Sequence, residues 1–303
     1  MIPLCKQFSL INRLKMLKYI LLLFLFSNLI IYPQEPDFQF SFLPSNLHFM
    51  PLKANFQEAR IGILYFPDNA NLKVDIGNNI DLLGFSWKQE DIKLTFGIEF
   101  MAYALSTSFH GNRLQIDALD GFFGGNASLS KVIDNSDLQM RFRIIHNSAH
   151  FVDGHYDNGI KEWVNNTEPI PFTRDFGEIT LANRLTSNNY LLRYYGSLAY
   201  STLVRPYTIK KYSFATGFEL SSNKILGNFF SKETNLFCAY HLNVHGIPIY
   251  VADNHLILGI KFGNWESKGV VFYLSYFTGN NYFSEYYYQK MKKIGIGFFI
   301  DFI

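Results

Sequence analysis

Two histidines flank a serine at alternate positions near the middle of the chain: His146, Ser148 and His150. In an extended strand, residues two apart share a face and lie about 7 Å apart at the backbone. A histidine at that position can take the proton of the serine hydroxyl and so activate the serine as a nucleophile. The spacing predicts hydrolytic chemistry, with His146 as the base and Ser148 as the nucleophile.

A serine–histidine pair of this kind needs a third group that orients the imidazole. Asp153 follows closely in the chain, and Asn183 has the matching parity on the next predicted strand, although nearer its other end. We therefore predict Asp153 as the third catalytic residue, with His150 and Asn183 as candidate supporting residues. The sequence identifies no oxyanion donor.

The stretch that carries this motif alternates apolar and polar residues without a break from residue 138 to 144. One face of such a strand holds Leu138, Met140, Phe142 and Ile144, and the other holds Gln139, Arg141 and Arg143. Because His146 and Ser148 continue the parity of the apolar face, we expect their side chains on that apolar side of the strand.

Composition indicates which kind of protein needs such strands. Charged residues make up 17% of the chain, against about 25% in an average soluble domain, and aromatic residues also reach 17%. The mean hydropathy of +0.01 suits strands with one face toward lipid and the other toward a wet lumen. We predict an all-β fold: a closed antiparallel transmembrane β-barrel. The net charge of +2 gives no reason to expect a nucleic-acid partner.

The N-terminal region has the features of an export signal. Lys15 and Lys18 precede an apolar run from Tyr19 to Tyr32, which is shorter than the ~20 residues of a membrane-spanning helix. We predict a signal peptide over residues 1–34, with Met16 as an alternative start and the outer membrane as the destination.

Alternation and turn residues predict about twelve strands, within a range of ten to fourteen. The expected spans are 58–66, 74–87, 91–106, 115–132, 137–151, 173–186, 188–203, 210–222, 233–245, 254–264, 268–279 and 291–303. Residues 58–303 would form the barrel. Residues 35–57 lack alternation and contain three prolines, so we predict an irregular periplasmic segment or a partial plug there.

Charged residues on the predicted strands mostly have the parity of the lumen. An Arg or Lys facing lipid at the bilayer midplane would cost about 2–4 kcal/mol, so inward orientation is favoured. These side chains would either line a narrow pore or fill the lumen as paired charges. They are Lys93, Glu99, Arg141, Arg143, Glu178, Arg184, Arg193, Glu219, His241, Lys261 and Asp301.

The chain resembles a bacterial family of unknown function, DUF1207. Residues 49–54, Phe-Met-Pro-Leu-Lys-Ala, look like the opening segment of that family, and Tyr195-Gly196 looks like a later feature. Residues 141–150 are similar to its Arg-x-Arg-x-x-His-x-Ser-x-His pattern. The chain departs at 151–154, where Phe-Val-Asp-Gly stands in place of the Leu-Gly-Asp-Glu of the family. The resemblance implies export and a barrel, and it implies no particular reaction.

Two further resemblances bear on partners. The His146-Asn147-Ser148 triplet is similar to the His-x-Ser pair of the barrel phospholipases A and lipid A deacylases, in which the pair lies on the outer wall. Residues 295–303 resemble the terminal signal that barrel assembly machinery recognises, with the outward aromatic one residue from the end. They imply membrane lipids and that machinery as partners, and they leave the oligomeric state open.

The leading interpretation of activity is a non-enzymatic barrel, either structural or a narrow pore. The alternative is a serine lipid hydrolase that uses His146 and Ser148. In the first case the His–Ser cluster is a polar rim that ties down the loop after it. No cofactor is required, although Asp153, His155, Asp157 and Asn158 offer ligands that calcium could use.

Overall fold

The structure is a computed structural model that describes residues 37–109, 113–229 and 231–301, apart from the side chains of residues 108, 109, 113 and 153. The predicted signal peptide lies outside these residues. Thirteen main strands follow one another along the chain. They are β1 (Phe38–Phe42), β2 (Ile61–Phe66), β3 (Asn71–Trp87), β4 (Ile92–Phe109), β5 (Arg113–Ile133), β6 (Ser136–Phe151), β7 (Phe172–Ser187), β8 (Tyr190–Arg205), β9 (Tyr212–Ser222), β10 (Lys232–Gly246), β11 (Tyr250–Phe262), β12 (Gly269–Asn280) and β13 (Lys290–Asp301).

Strands β2 to β13 pair antiparallel with their neighbours in chain order and close into a ring. The seam joins the last strand to β2, with Ile300 opposite Ile61 and Ile296 opposite Tyr65. The predicted twelve-stranded closed barrel is therefore confirmed. Closure pairs the first and last strands of the ring, which would otherwise be open edges whose unpaired amides each cost several kcal/mol in lipid.

The strands alternate between an apolar exterior and a buried interior. On β6, Phe142 and Ile144 are 40% and 62% exposed, whereas Arg141 and Arg143 are at most 1% exposed. This is the two-residue period of a strand that separates two environments. The alternation in the sequence identified these strands to within a few residues at each end.

The two ends of the barrel differ in their connections. One end, which we call the loop end, holds the long connection between β6 and β7 (152–171) and the connection between β12 and β13 (281–289). The other end, the turn end, has two-residue turns after β5 and β7. Short 3-10 turns at Asp153–His155, Val164–Asn166 and Ser284–Tyr286 and the two-residue pair of Tyr156–Asp157 with Glu162–Trp163 belong to the loop end.

Strand β1 differs from the irregular structure predicted over residues 35–57. It pairs with the turn-end half of β3, with Phe38 opposite Trp87, while β2 pairs with the loop-end half, with Gly62 opposite Asp75. The two short strands thus share one long neighbour. Three alternating aromatics in five residues carried too little signal for the strand to be predicted.

Residues 44–60, which we call the luminal segment, run through the interior of the barrel. Phe49, Leu52 and Glu58 are buried, with exposed fractions of 3%, 1% and 0%. The guanidinium of Arg193 donates to the carbonyl oxygen of Met50 at 2.8 Å, and the amide of Lys53 donates to Glu219 at 2.6 Å. The segment is therefore bound to the wall through its backbone as well as its side chains.

The connection between β12 and β13 folds into the loop end of the lumen. Phe283 is fully buried, and the hydroxyl of Tyr103 donates to the carbonyl oxygen of Tyr282 at 2.9 Å. The amide of Ser284 donates to Asp120 at 3.2 Å. The lumen is consequently filled by chain from both ends.

No helix among the described residues is long and apolar enough to cross a membrane.

Candidate functional site

The predicted His–Ser pair lies on the outer wall of the barrel, near the loop end of β6. His146 stands opposite Phe123 of β5 on one side and Asp175 of β7 on the other. Its ring packs against Phe123 with the centroids 4.8 Å apart. These contacts fix the imidazole between two strands, because the ladder register holds both neighbours in place.

The imidazole is paired with a carboxylate. His146 Nδ1 lies 2.5 Å from Asp175 Oδ1, and the two side chains are 36% and 34% exposed. A proton on Nδ1 is donated to the carboxylate in this geometry, which leaves Nε2 to act as an acceptor. The arrangement is the orienting interaction that a serine–histidine pair requires.

Ser148 shares the outward face of β6 with His146 and is half-buried. Its neighbours across the ladder are Gly121 and Thr173. A methyl group placed on Gly121 would stand 4.0 Å from the Ser148 hydroxyl oxygen, so the glycine leaves the wall beside that hydroxyl open.

The structure brings together fewer of the predicted residues than expected. Asn183 faces Leu138, eight residues along β6 from His146, or about 26 Å at ~3.3 Å per residue. Asn183 instead accepts a hydrogen bond from Ser136 and donates one to Tyr194. The supporting role predicted for Asn183 is therefore wrong.

The other two candidates lie on the loop side of Ser148. His150 is exposed and stands opposite Leu119, two ladder positions beyond Ser148. Asp153 begins a 3-10 turn, and its side chain lies outside the described part of the structure. The carboxylate that contacts His146 comes from β7.

The sequence contained a signal for Asp175 that was not used. Asp175 has the same parity as Asn183 on the same strand, and it lies eight residues closer to the loop end. Register decides between them, because Asp175 is the residue of β7 that stands directly opposite His146.

The loop residues considered for calcium have other contacts. His155 is fully buried, with Nδ1 2.6 Å from Asp117 and Nε2 2.8 Å from the carbonyl oxygen of Thr167. Asp157 accepts the amide of Gly159 at 2.8 Å. Within the described residues, no group of three or more His, Cys, Asp or Glu could hold a metal ion.

The predicted luminal charges form three groups around the luminal segment. The first centres on Glu58, which accepts both Arg141 amino groups, at 2.9 and 2.5 Å. Arg143 of this group donates to Glu178 at 3.0 Å and lies 3.4 Å from Glu99. Glu58, from the luminal segment, was not among the predicted residues.

The second and third groups lie on the strands after β7. Arg193 contacts Glu219 at 2.7 Å. Asp301 lies between two ammonium groups, 2.6 Å from Lys261 and 2.8 Å from Lys53.

Three of the predicted luminal residues lie outside these groups. Arg184 contacts Asp137 at 2.7 Å near the turn end. His241 Nδ1 lies 2.9 Å from the hydroxyl of Tyr195. Lys93 is exposed at the mouth of the turn end, in a cavity that His48 also lines.

Comparison with known proteins gives a family and a fold. A family model described as a protein of unknown function (DUF1207) matches residues 44–302. No match was found among curated proteins.

Several solved structures resemble the barrel. Outer membrane phospholipase A from Escherichia coli is 11% identical, with a TM-score of 0.46, and the match covers 80% of this chain and 92% of that one. The Pseudomonas putida toluene transporter TodX is 9% identical, with a TM-score of 0.40 and coverage of 77% and 69%. LpxR from Salmonella typhimurium is 12% identical, with a TM-score of 0.35 and coverage of 77% and 88%. At such identities the similarity concerns the fold alone.

Proposed function

The chain belongs to the DUF1207 family of proteins of unknown function, and we propose that it is an outer-membrane barrel that hydrolyses acyl esters of membrane lipids. Ser148 is the nucleophile, His146 is the base and Asp175 orients the base. The observation that carries this proposal is the 2.5 Å contact between His146 Nδ1 and Asp175 on the outer wall.

The exterior supports a membrane location. Soluble monomers rarely expose contiguous apolar patches larger than a few hundred Å², whereas here every side of the barrel carries exposed apolar side chains. They include Ile76, Ile98, Phe100, Ile144, Leu181, Phe214, Phe272, Leu274 and Ile296. We therefore assign membrane lipids as its immediate partners and the barrel assembly machinery as its route of insertion.

An ionisable pair on such a wall requires an explanation. Polar and charged groups within a membrane are costly and commonly mark a functional site. Asp175 Oδ1 contacts Nδ1 of the imidazole, so Nε2 is the ring nitrogen that the carboxylate does not occupy. A purely structural cap on the loop would not need this orientation next to a serine.

The proposed reaction has two steps, acylation of the serine and hydrolysis of the acyl-serine. His146 Nε2 takes the Ser148 proton as the serine oxygen attacks the acyl carbonyl carbon. The imidazolium, stabilised by Asp175, then gives that proton to the leaving alkoxide, and the acyl group remains on Ser148. Water, deprotonated by His146, attacks the acyl-serine, and a fatty acid leaves as the serine regains its proton.

The filled lumen favours this proposal over a narrow pore. Glu58, Lys53 and the backbone of the luminal segment occupy the space where a permeating solute would pass. Most of the luminal charges are paired with one another, which is the behaviour of structural filling. The outer wall is the part of the molecule that retains an uncommitted nucleophile.

The test is release of fatty acid or lysolipid from phospholipid and lipid A in mixed detergent micelles by the purified protein. Wild type is expected to release product, and Ser148→Ala is expected to reduce the rate to background. Thr216→Ala is the matched control, because Thr216 also carries an outward hydroxyl, on β9. Equal release by wild type and Ser148→Ala, or no release by wild type from either lipid, would overturn the proposal.

A further inference from the structure

A cavity of about 80 Å³ lies at the loop end of the lumen, between the luminal segment and the connection that folds in after β12. At ~10–15 Å³ for each water, it has room for roughly five to eight water molecules. Its lining includes Gln57, Arg174 and Tyr282. We propose that this cavity is a binding site for a small oxyanion, of the phosphate or carboxylate class, held by Arg174.

Arg174 points into the barrel, whereas its neighbour Asp175 points out. One of its amino groups lies 3.4 Å from Gln57 Oε1, and the guanidinium stacks on Phe176 at 4.5 Å. Its Nε is buried and has no hydrogen-bond partner. In the described part of the chain no carboxylate lies within 4.0 Å of it, so the charge of Arg174 has no counterion there.

The nearest carboxylates already have partners. Glu178 accepts Arg143 Nε at 3.0 Å, and Asp120 accepts the amide of Ser284 at 3.2 Å. Asp253, which lines the cavity, lies 2.5 Å from His245 and accepts the amide of Asn280 at 2.8 Å. None of these carboxylates forms an ion pair with Arg174 within 4.0 Å.

A second donor is available in the same cavity. The hydroxyl of Tyr282 is buried and has no hydrogen-bond partner. An unsatisfied buried donor costs about 1–3 kcal/mol, and an unpaired buried cation costs more. An oxyanion held by Arg174 would satisfy its guanidinium, because a guanidinium binds phosphate or carboxylate through paired N–H donors.

The site is tested by titrating inorganic phosphate, and separately acetate, into detergent-solubilised protein at constant ionic strength while following thermal unfolding. At least one anion is expected to raise the unfolding midpoint saturably. Arg174→Gln is expected to weaken that response at least tenfold. Arg205→Gln is the control, because it removes an exposed arginine at the loop end of β8.

Two results would overturn the proposal. One is the absence of a saturable shift with both anions, and the other is an equal response in wild type and Arg174→Gln. If Arg174→Gln does not fold, Arg174→Lys takes its place, because it keeps the charge and removes the paired N–H donors of the guanidinium. Arg174→Lys is expected to weaken anion binding severalfold, and an unchanged affinity would reject the site.

Discussion

An aspartate on the apolar wall of a barrel needs a partner, and Asp175 has one in His146. Both residues lie near the loop end, where the wall approaches its rim, and the ladder between β6 and β7 sets their distance. Ser148 has a histidine two positions away on either side, His146 and His150. The carboxylate distinguishes the two, because it orients His146.

The first prediction separates these two histidines. His146→Ala is expected to reduce lipid hydrolysis at least 10²-fold, because general-base catalysis contributes about 10²–10⁴-fold. His150→Ala is expected to stay within about twofold of wild type. The measurement is the initial rate of fatty acid release from micelles. Loss of activity in His150→Ala with full activity in His146→Ala would show that His150 is the base, contrary to the proposal.

The second prediction concerns the orienting carboxylate. Asp175→Asn keeps the size of the side chain but favours the wrong imidazole tautomer, and we expect the rate constant to fall about 10²-fold or more while KM changes little. Asn183→Ala serves as the control on the same face of β7. Full activity in Asp175→Asn would show that the pair only anchors the rim.

The residues of this site were predictable in unequal measure. His146 and Ser148 could be placed on one outward face because parity depends only on position along a strand. The third residue could not be chosen reliably, because it depends on which residue of β7 stands opposite His146. A shift of two residues between the strands would have placed a different side chain there.

At the scale of elements, the luminal segment is the part of the fold that alternation could not describe. Its Glu58 contacts Arg141, which lies 83 positions away in the chain, and its Lys53 contacts Asp301, which lies 248 positions away. The strands could be predicted because an apolar exterior and a polar interior impose a two-residue period on their sequence. The segment has no such period, and its path is set by the charges it meets.

The third prediction tests the ion pair at Glu58. The Arg141 and Arg143 guanidinium groups hold the pKa of Glu58 at about 2, although burial alone would raise it. Glu58→Gln leaves the buried Arg141 without its counterion, whereas Arg143 keeps Glu178 and Glu99. The loss is expected to lower the free energy of unfolding by about 3–5 kcal/mol. Urea unfolding in detergent measures the change.

The control for this variant is Glu266→Gln. Glu266 pairs with Arg184 but is 40% exposed, so its loss is expected to cost about 1 kcal/mol or less. Equal costs for the two variants would contradict the anchoring role of Glu58.

The fourth prediction is a pH dependence of the luminal segment. Burial is the main cause that lowers the pKa of His48 to about 4; Lys93 and Arg184 also lower it, whereas Asp137 raises it. Because the folded state favours neutral His48, the stability it contributes is present above pH 6.5 and is lost as the pH falls toward 4. We expect the unfolding midpoint of wild type to fall between pH 7 and pH 4 by more than that of His48→Gln. Identical pH dependence in the two proteins would reject this assignment.

At the scale of the whole molecule, the barrel presents an apolar surface on the outside and a filled polar interior on the inside. The exterior carries apolar side chains, while the lumen contains the luminal segment, the folded-in connection and paired charges. Twelve strands could be predicted because a closed sheet in lipid constrains every strand alike. Whether the lumen was open could not be predicted, because pairing across it depends on residues far apart in the chain.

The fifth prediction follows from the filled lumen. Wild-type protein in planar bilayers is expected to give no steady single-channel conductance, because protein occupies the path. Glu58→Gln, which releases the main anchor of the segment, is expected to give brief openings. A stable ohmic conductance in wild type would contradict a filled interior.

The seam of the barrel has a mechanical consequence. Strand β2 meets β13 over five paired positions, whereas β12 and β13 pair over twelve. Strand β2 also pairs with β3 over only five positions. Since the luminal segment ends at Arg60 and β2 begins at Ile61, a force that draws the segment toward the turn end acts first on the strand of the ring with the fewest paired positions. Withdrawal of the luminal segment and separation of β2 from its neighbours are thus expected to occur together.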